Sequence, residues 1–163
     1  MTISDTHPLR ILLVDDDVDD CVLFKDAVAK TGLHATVDVA HDGVKIMQLF
    51  NTRAEFLPHL IFLDLNMPKV SGAECLREIR RASYLNGIPV IIFSTSCNEF
   101  DIEETFSGGA NLYIQKPAGY EALVATLSKV LVLDWRKYIH ERQRNSFVIP
   151  RKKMELSAVS LPY

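Results

Sequence analysis

Residues 11–20 read ILLVDDDVDD, in which four apolar residues lead into a run with aspartate at five of six positions. The apolar part is typical of a buried strand. Carboxylates this close in sequence repel one another, so the run requires either a neutralising cation or a disordered loop. The stretch therefore predicts a strand with a concentrated negative charge at its carboxyl end, and the rest of the sequence indicates what that charge is for.

The composition indicates one compact domain with a short extension. The chain has 163 residues, 48% of them hydrophobic, and its formal net charge of −3 gives no general attraction to nucleic acid or anionic membranes. Cys21, Cys75 and Cys97 lack CxxC spacing and are expected to be buried small hydrophobes in a reducing compartment. Every apolar run is far short of the roughly 18 residues of a membrane span, and no signal-like segment is present. We therefore expect a soluble cytoplasmic protein that binds neither nucleic acid nor membranes.

Short apolar runs alternate with helical patterns along the chain. The runs that predict strands are residues 9–14, 34–40, 60–63, 88–93 and 111–115, and the helical patterns begin near residues 18, 42, 71, 99 and 120. Gly32 is predicted to end the first helix, and Ser71 is predicted to cap the third with Glu74 as its capping-box partner. The last helix is predicted to continue through residues 131–139. Strands that alternate with helices predict an α/β protein whose parallel sheet is covered on both faces.

Polar residues follow four of the predicted strands. They are Asp15 and Asp16 after the first strand, Asp64 after the third, Ser94 and Thr95 after the fourth, and Lys116 and Pro117 after the fifth. Each has a plainer explanation as a turn, a helix cap or a surface residue, but the carboxyl ends of parallel strands meet at one edge of the sheet. Clustered carboxylates with room for water and phosphate suit Mg²⁺ (or Mn²⁺). The set predicts phosphoryl transfer to a carboxylate, with the metal, Lys116 and Ser94 holding the phosphoryl oxygens.

Four motifs resemble those of response-regulator receiver domains. They are Asp15-Asp16, IFLDLNMPKVSG at 61–72, PVIIFSTS at 89–96 and LYIQKP at 112–117. The resemblance covers about residues 9–135. It implies a flavodoxin-like (βα)5 three-layer sandwich with a parallel five-stranded sheet in the order 2-1-3-4-5.

The resemblance also implies a role for the residues of the metal site. Asp64 matches the phosphoacceptor, and Asp15 and Asp16 match the acidic pair that holds Mg²⁺, Asp16 directly and Asp15 through water. Asn66 matches the position whose backbone carbonyl completes the metal coordination.

The remaining motif positions match the switch residues of the family. Ser94 matches the switch hydroxyl, Lys116 the phosphate-binding lysine, and Pro117 a proline that commonly follows a cis bond. Tyr113 matches the aromatic switch, which is expected to move inward from an exposed rotamer when Ser94 moves toward the phosphoryl group. Thr95, assigned to the phosphate-binding and switch group, is bulkier than the alanine common at its position and is expected to limit that movement. The surface of the fourth helix, fifth strand and fifth helix would then change.

The domain organisation predicted from the sequence is a leader at 1–8, a receiver domain at 9–140 and a tail at 141–163. Residues 131–139, LVLDWRKYI, resemble single-domain regulators associated with phytochrome-like histidine kinases. The expected partners are a sensor histidine kinase or histidine phosphotransfer protein and a downstream protein target. A homodimer through the fourth helix, fifth strand and fifth helix, or through the tail, is a further expectation. No DNA-binding output domain is expected.

The basic tail is open to three interpretations. It is a solvated linker, it docks residues 147–149 on the domain or on a second copy, or it binds nucleic acid.

Three other functions compete with the receiver interpretation. A haloacid-dehalogenase-type phosphatase requires DxD followed by Gly-Thr, whereas Asp17 is followed by Val18-Asp19. A calcium loop requires Gly at its sixth position and Glu at its twelfth, where this chain has Asp20 and Asp26. The third alternative is a receiver-like interaction module that is never phosphorylated. We expect no enzyme activity other than the domain's own phosphorylation and dephosphorylation.

Overall fold

The computed structural model describes residues 7–52 and 57–151. The strands are β1 (Leu9–Val14), β2 (Ala35–Ala40), β3 (Leu60–Leu63), β4 (Val90–Ser94), β5 (Leu112–Gln115) and β6 (Val148–Ile149). The helices are α1 (Val18–Lys30), α2 (Gly43–Thr52), α3 (Gly72–Arg81), α4 (Glu99–Ser107), α5 (Tyr120–Val130) and α6 (Trp135–His140), with short 3₁₀ turns at Ser83–Leu85 and Arg144–Ser146. Among the helices of these residues, none is both long and apolar enough to cross a bilayer.

The sheet is parallel throughout and has the order β2-β1-β3-β4-β5-β6. The predicted order of the first five strands is confirmed, but the predicted count of five strands is wrong. Val148 and Ile149 pair with Tyr113 and Ile114 and add a sixth strand from the tail. The edge of β5 would otherwise present unpaired backbone groups, and the Tyr113 amide donates to the Phe147 carbonyl at 2.8 Å. The linker interpretation of the tail is therefore wrong for residues 147–149, which dock on their own domain.

Two hydrophobic clusters lie on opposite faces of the sheet. One packs alternate strand residues against α2, α3 and α4, and the other packs the intervening residues against α1, α5 and α6. In the second cluster Phe24, Phe62 and Phe93 meet edge to face at centroid distances of 5.0–6.1 Å. The predicted three-layer α/β sandwich is confirmed.

The predicted helix signals are present at α1 and α3. Gly32 follows α1 with φ +75°, a conformation that glycine adopts without strain. Ser71 and Glu74 form both hydrogen bonds of the capping box at the start of α3. Asp17 caps α1 by accepting the Asp20 amide at 3.0 Å. These caps fix where the chain turns from strand end to helix beside the site.

Two smaller predictions are wrong. The last helix does not run through residue 139, because α5 ends at Val130 and α6 begins after Asp134. The Asp134 carboxylate accepts the Arg136 amide at 3.3 Å, and such a local bond starts a new helix. Cys21 and Cys75 are buried as expected, but Cys97 is exposed because it lies in the loop between β4 and α4. Residues 1–6 of the leader and 152–163 of the tail lie outside the described residues.

Candidate active site

The strand ends bring most of the predicted site residues to one edge of the sheet. Asp15, Asp64, Ser94 and Lys116 are all buried there, whereas Asp16 is exposed beside them. The Asp17 amide donates to Asp15 Oδ1 at 2.9 Å and fixes the orientation of that carboxylate. The acidic run is therefore an ordered strand end rather than a disordered loop.

Lys116 places its ammonium against the carboxylates of this edge. Its Nζ lies 2.8 Å from Asp15 Oδ2, 2.9 Å from Asp20 Oδ2 and 3.6 Å from Asp64 Oδ2. The same ammonium lies 5.5 Å from the centroid of the Phe93 ring. One ammonium faces more than one carboxylate, so the edge keeps a surplus of negative charge.

The contact with Asp20 was not predicted from the sequence. A negative charge at the start of a helix is stabilised by the positive end of the helix, and this alone is a sufficient reason for an aspartate at position 20. Asp20 does lie in the first turn of α1, and its side chain also binds Lys116. The local sequence pattern carries no signal for this contact, because a helix-start aspartate has the same pattern whether or not its carboxylate contacts Lys116.

The carboxylates fit a divalent cation. Asp15, Asp16 and Asp64 each offer an oxygen, and these oxygens lie within 4.8 Å of one another. Hard oxygen ligands of this kind suit Mg²⁺ or Mn²⁺. Burial raises the pKa of Asp64 and Asp15 adds to the effect, while Lys116 opposes it. A bound divalent cation would stabilise the ionised form of Asp64.

Gly72 sets the conformation of the chain that follows Asp64. A Cβ at this position would lie 2.2 Å from the Asp64 carbonyl oxygen and 2.7 Å from the Leu65 Cα. The Gly72 amide donates to the Leu65 carbonyl at 3.2 Å. The first residue of α3 thus packs directly on the backbone of Asp64, which only glycine permits.

Asn66 and Ser94 lie beside Asp64 and contact each other. The Asn66 backbone amide donates to Asp64 Oδ1 at 3.3 Å. The Asn66 side-chain Nδ2 donates to Ser94 Oγ at 3.4 Å. Ser94 Oγ also accepts the Ser96 amide at 3.2 Å. The role of the Asn66 carbonyl in metal binding stays a prediction.

Tyr113 is not in the exposed rotamer that the predicted switch starts from. Its side chain is fully buried, and its hydroxyl donates to the Ser96 carbonyl at 3.1 Å. The Phe147 ring packs against it at a centroid distance of 6.1 Å, so the tail covers the position. Thr95 is exposed and does not keep the ring out.

The predicted cis bond before Pro117 is absent, and the Lys116–Pro117 peptide is trans. The trans form is intrinsically favoured by about 0.5–1 kcal/mol. In this conformation the Lys116 carbonyl accepts Arg151 Nε at 2.8 Å, and the Lys116 amide donates to the Ser94 carbonyl at 2.8 Å. Arg151, which belongs to the tail, therefore contacts the backbone of the site lysine, a contact that the sequence did not indicate.

Comparison with known proteins identifies relatives of this arrangement. The family model for the response regulator receiver domain matches residues 11–128. The probable methanogenesis regulatory protein FilR2 of Methanothrix harundinacea is 32% identical over 126 residues, which are 76% of this chain and 81% of that protein. Response regulator Rcp1 of Synechocystis sp. is 32% identical over 120 residues, 71% of this chain and 82% of that protein.

Two solved structures share the fold at high coverage. The phosphorylated cyanobacterial phytochrome response regulator RcpA has a TM-score of 0.70 and 34% identity, covering 76% of this chain and 91% of its own. The Mn²⁺-bound form of a response regulator named Rcp1 has a TM-score of 0.68 and 30% identity, covering 80% of this chain and 96% of its own. The predicted resemblances to receiver domains and to single-domain regulators associated with phytochromes are confirmed.

Proposed function

The chain belongs to the response regulator receiver domain family, and from this premise we propose that Asp64 accepts a phosphoryl group from a phosphohistidine. The donor is a sensor histidine kinase or a histidine phosphotransfer protein. The proposal is carried by one observation: three carboxylates offer oxygens within 4.8 Å of one another, and Lys116 Nζ lies 3.6 Å from the Asp64 carboxylate. A carboxylate nucleophile, a metal-binding set and a buried ammonium are the parts that phosphoryl transfer needs.

The transfer forms one bond and breaks another. An Asp64 carboxylate oxygen attacks phosphorus, the phosphorus–nitrogen bond breaks, and its electron pair returns to the imidazole of the donor. Asp15, Asp16 and Asp64 would hold Mg²⁺ (or Mn²⁺), which neutralises charge on the phosphoryl oxygens. Lys116 and Ser94 bind the other oxygens, since both side chains already lie at the edge where the group arrives.

The output is a protein contact controlled by the loop between β4 and α4. Ser94 and Tyr113 are linked through Ser96, whose amide donates to Ser94 Oγ and whose carbonyl accepts the Tyr113 hydroxyl. A Ser94 side chain that turns to a phosphoryl group releases the Ser96 amide. The β4–α4 loop, whose Ser96 carbonyl Tyr113 binds, then changes conformation. This shifts the equilibrium between two conformations of the surface formed by α4, β5 and β6.

A homodimer through this surface has to accommodate the tail. In the described residues β6 occupies the free edge of β5, and Phe147 covers Tyr113. We propose that a downstream target or a second copy binds the outer side of α4 and the tail residues packed on it. Light scattering with and without acetyl phosphate tests for the second copy.

The phosphorylation proposal is tested by intact-mass measurement. Incubation with Mg²⁺ and acetyl phosphate is expected to add one phosphoryl group to the wild-type protein and none to Asp64→Asn. Asp19→Asn, which removes an exposed carboxylate from the neighbouring helix turn, is the matched control and is expected to label normally. Labelling of Asp64→Asn would assign the acceptor elsewhere. A wild-type protein that neither acetyl phosphate nor phosphohistidine proteins label would be a receiver-like interaction module.

A further inference from the structure

Lys116 is bound by a carboxylate outside the phosphoacceptor and metal-binding set. Its Nζ is 2.9 Å from Asp20 Oδ2 but 3.6 Å from Asp64 Oδ2. The ammonium therefore lies closer to the Asp20 carboxylate on α1 than to the carboxylate of Asp64. Asp15, at 2.8 Å, completes this arrangement from the end of β1.

The start of α1 holds Asp20 in this position. Asp17 accepts the backbone amide of Asp20, so the cap fixes the first turn without using the Asp20 side chain. The Asp20 carboxylate is free to reach across to Lys116, and 42% of it is exposed to solvent. The Asp15 carboxylate is 1% exposed, so Asp20 is the solvent-facing member of the pair.

The two carboxylates differ in what happens to them when the site is loaded. Asp15 belongs to the set that fits a divalent cation, and a bound metal ion would neutralise the Asp15 charge and weaken its attraction to Lys116. Asp20 is not among those ligands within the described residues. It is therefore the carboxylate that continues to compete with the phosphoryl oxygens for the ammonium.

We propose that Asp20 is a positioning residue that binds Lys116 in competition with a phosphoryl group on Asp64 and so limits the rate and affinity of phosphoryl acceptance. This inference rests on the proposed function of Asp64. Lys116 has to give up its Asp20 contact to bind a phosphoryl oxygen, and the Asp20 charge also repels the incoming anion. Because Asp20 is partly exposed, solvent screens both effects, and we expect about three- to tenfold rather than orders of magnitude.

The ammonium itself gives a test that requires no phosphorylation. The side-chain NH₃⁺ signal of Lys116 is followed by nitrogen-15 NMR in the metal-free protein, with Lys116→Arg used for assignment. Two carboxylates are expected to slow hydrogen exchange of this group in wild type, and Asp20→Asn is expected to accelerate it. Asp19→Asn removes the same charge from the same turn, but Asp19 is not among the carboxylates that contact Lys116 in the part of the chain described here. It is expected to leave the signal unchanged, and equal exchange in all three proteins would overturn the contact.

The functional test compares the same variants at Mg²⁺ concentrations that saturate each of them. Asp20→Asn is expected to raise the rate of acetyl phosphate labelling and the affinity for beryllofluoride, a phosphoryl mimic, by about three- to tenfold. Asp20→Glu, which restores the charge, is expected to return both toward wild type, and Asp19→Asn to stay within about twofold.

Slower labelling by Asp20→Asn, or an equal gain in Asp19→Asn, would overturn the positioning role. If wild type is not labelled at all, the proposed function fails separately. In that case the NMR measurement still decides the contact between Asp20 and Lys116. Thermal unfolding of each variant confirms that it is folded, and the Asp17 cap is retained because it binds the Asp20 backbone.

Discussion

The active-site edge and the C-terminal strap, defined as residues 141–151, are built in different ways. At the edge, side chains at or directly after the carboxyl ends of four strands meet because the sheet is parallel. The strap instead depends on contacts between residues far apart in sequence. Arg142 binds the carbonyls of Phe106 and Ala110, Arg144 pairs with Glu99 and Glu103 of α4, and Phe147 packs on Phe106 and Tyr113.

The two regions also differ in the exposure of their charges. Lys116 and Asp15 are 11% and 1% exposed in their side chains, whereas Arg144, Glu99 and Glu103 are 35%, 72% and 52% exposed. The Lys116–Asp15 pair at the edge is therefore poorly screened by solvent. The strap leaves the ion pairs of Arg144 partly in solvent and buries the ring of Phe147, so these ion pairs are expected to contribute less to its attachment than apolar packing does.

The largest expected effect comes from Gly72→Ala at the active-site edge. The new Cβ would clash with the backbone of Asp64 and Leu65, so α3 or the loop after β3 has to shift. We expect a loss of about 3–4 kcal/mol in the free energy of unfolding and little or no labelling by acetyl phosphate. Urea denaturation measures the stability.

Gly87→Ala is the matched control for this change, because no atom lies within 4 Å of its added Cβ. A Gly72→Ala protein as stable as this control would show that the backbone contact does not hold Asp64 in place.

Phe147→Ala is expected to have the next largest effect and to separate the strap from the domain. Phe147 is 2% exposed, and removing a buried ring costs about 3 kcal/mol. The change should also speed amide exchange of Tyr113, whose amide donates to the Phe147 carbonyl. Denaturation and hydrogen exchange provide the measurements.

Phe100→Ala serves as the control for Phe147→Ala, since its ring is 70% exposed. Equal losses in the two variants would contradict docking of the strap through Phe147.

The difference between the regions also explains what the sequence could predict. Asp15, Asp64, Ser94 and Lys116 each follow an apolar run, so strand order alone places them together. Asp20 lies in the first turn of α1 and also contacts Lys116, and nothing in the local pattern distinguishes an ordinary helix-start aspartate from one whose carboxylate contacts the site lysine. The sixth strand was missed because pairing of two residues with a distant edge leaves no periodic signal.

A divalent cation is expected to stabilise the edge and leave the strap unaffected. At a concentration 100-fold above its dissociation constant, Mg²⁺ adds about 2.7 kcal/mol to the free energy of unfolding. Asp16→Asn removes an exposed carboxylate of the metal-binding set and should lose most of this gain, whereas Asp19→Asn should keep it. Thermal unfolding with MgCl₂ or chelator measures the difference. An equal gain in Asp16→Asn would exclude Asp16 from the metal site.

A smaller, pH-dependent effect is expected from Asp64 in the presence of chelator. Burial raises the pKa of Asp64 above its ordinary value of 3.8, so the unfolded chain loses this proton at lower pH than the folded protein. The protonated Asp64 carboxyl therefore contributes fully to the free energy of unfolding below pH 3.8. This contribution is lost as pH rises through the folded-state pKa. Asp64→Asn does not ionise and should therefore gain stability relative to wild type between pH 4 and pH 7. Urea denaturation across this range tests the sign, and a relative loss by Asp64→Asn would show that Lys116 outweighs burial.

The smallest effect is expected from Arg144→Ala in the strap. Arg144 pairs with two glutamates of α4, but all three side chains are exposed enough for solvent to screen the attraction. Exposed pairs contribute at most about 1 kcal/mol, and added salt reduces that further. We expect the difference from wild type to shrink between low and high salt in urea denaturation, unlike the loss in Phe147→Ala, which should persist because burial is apolar. A salt-independent loss from Arg144→Ala would mean that its contribution to strap docking is packing against α4 rather than charge.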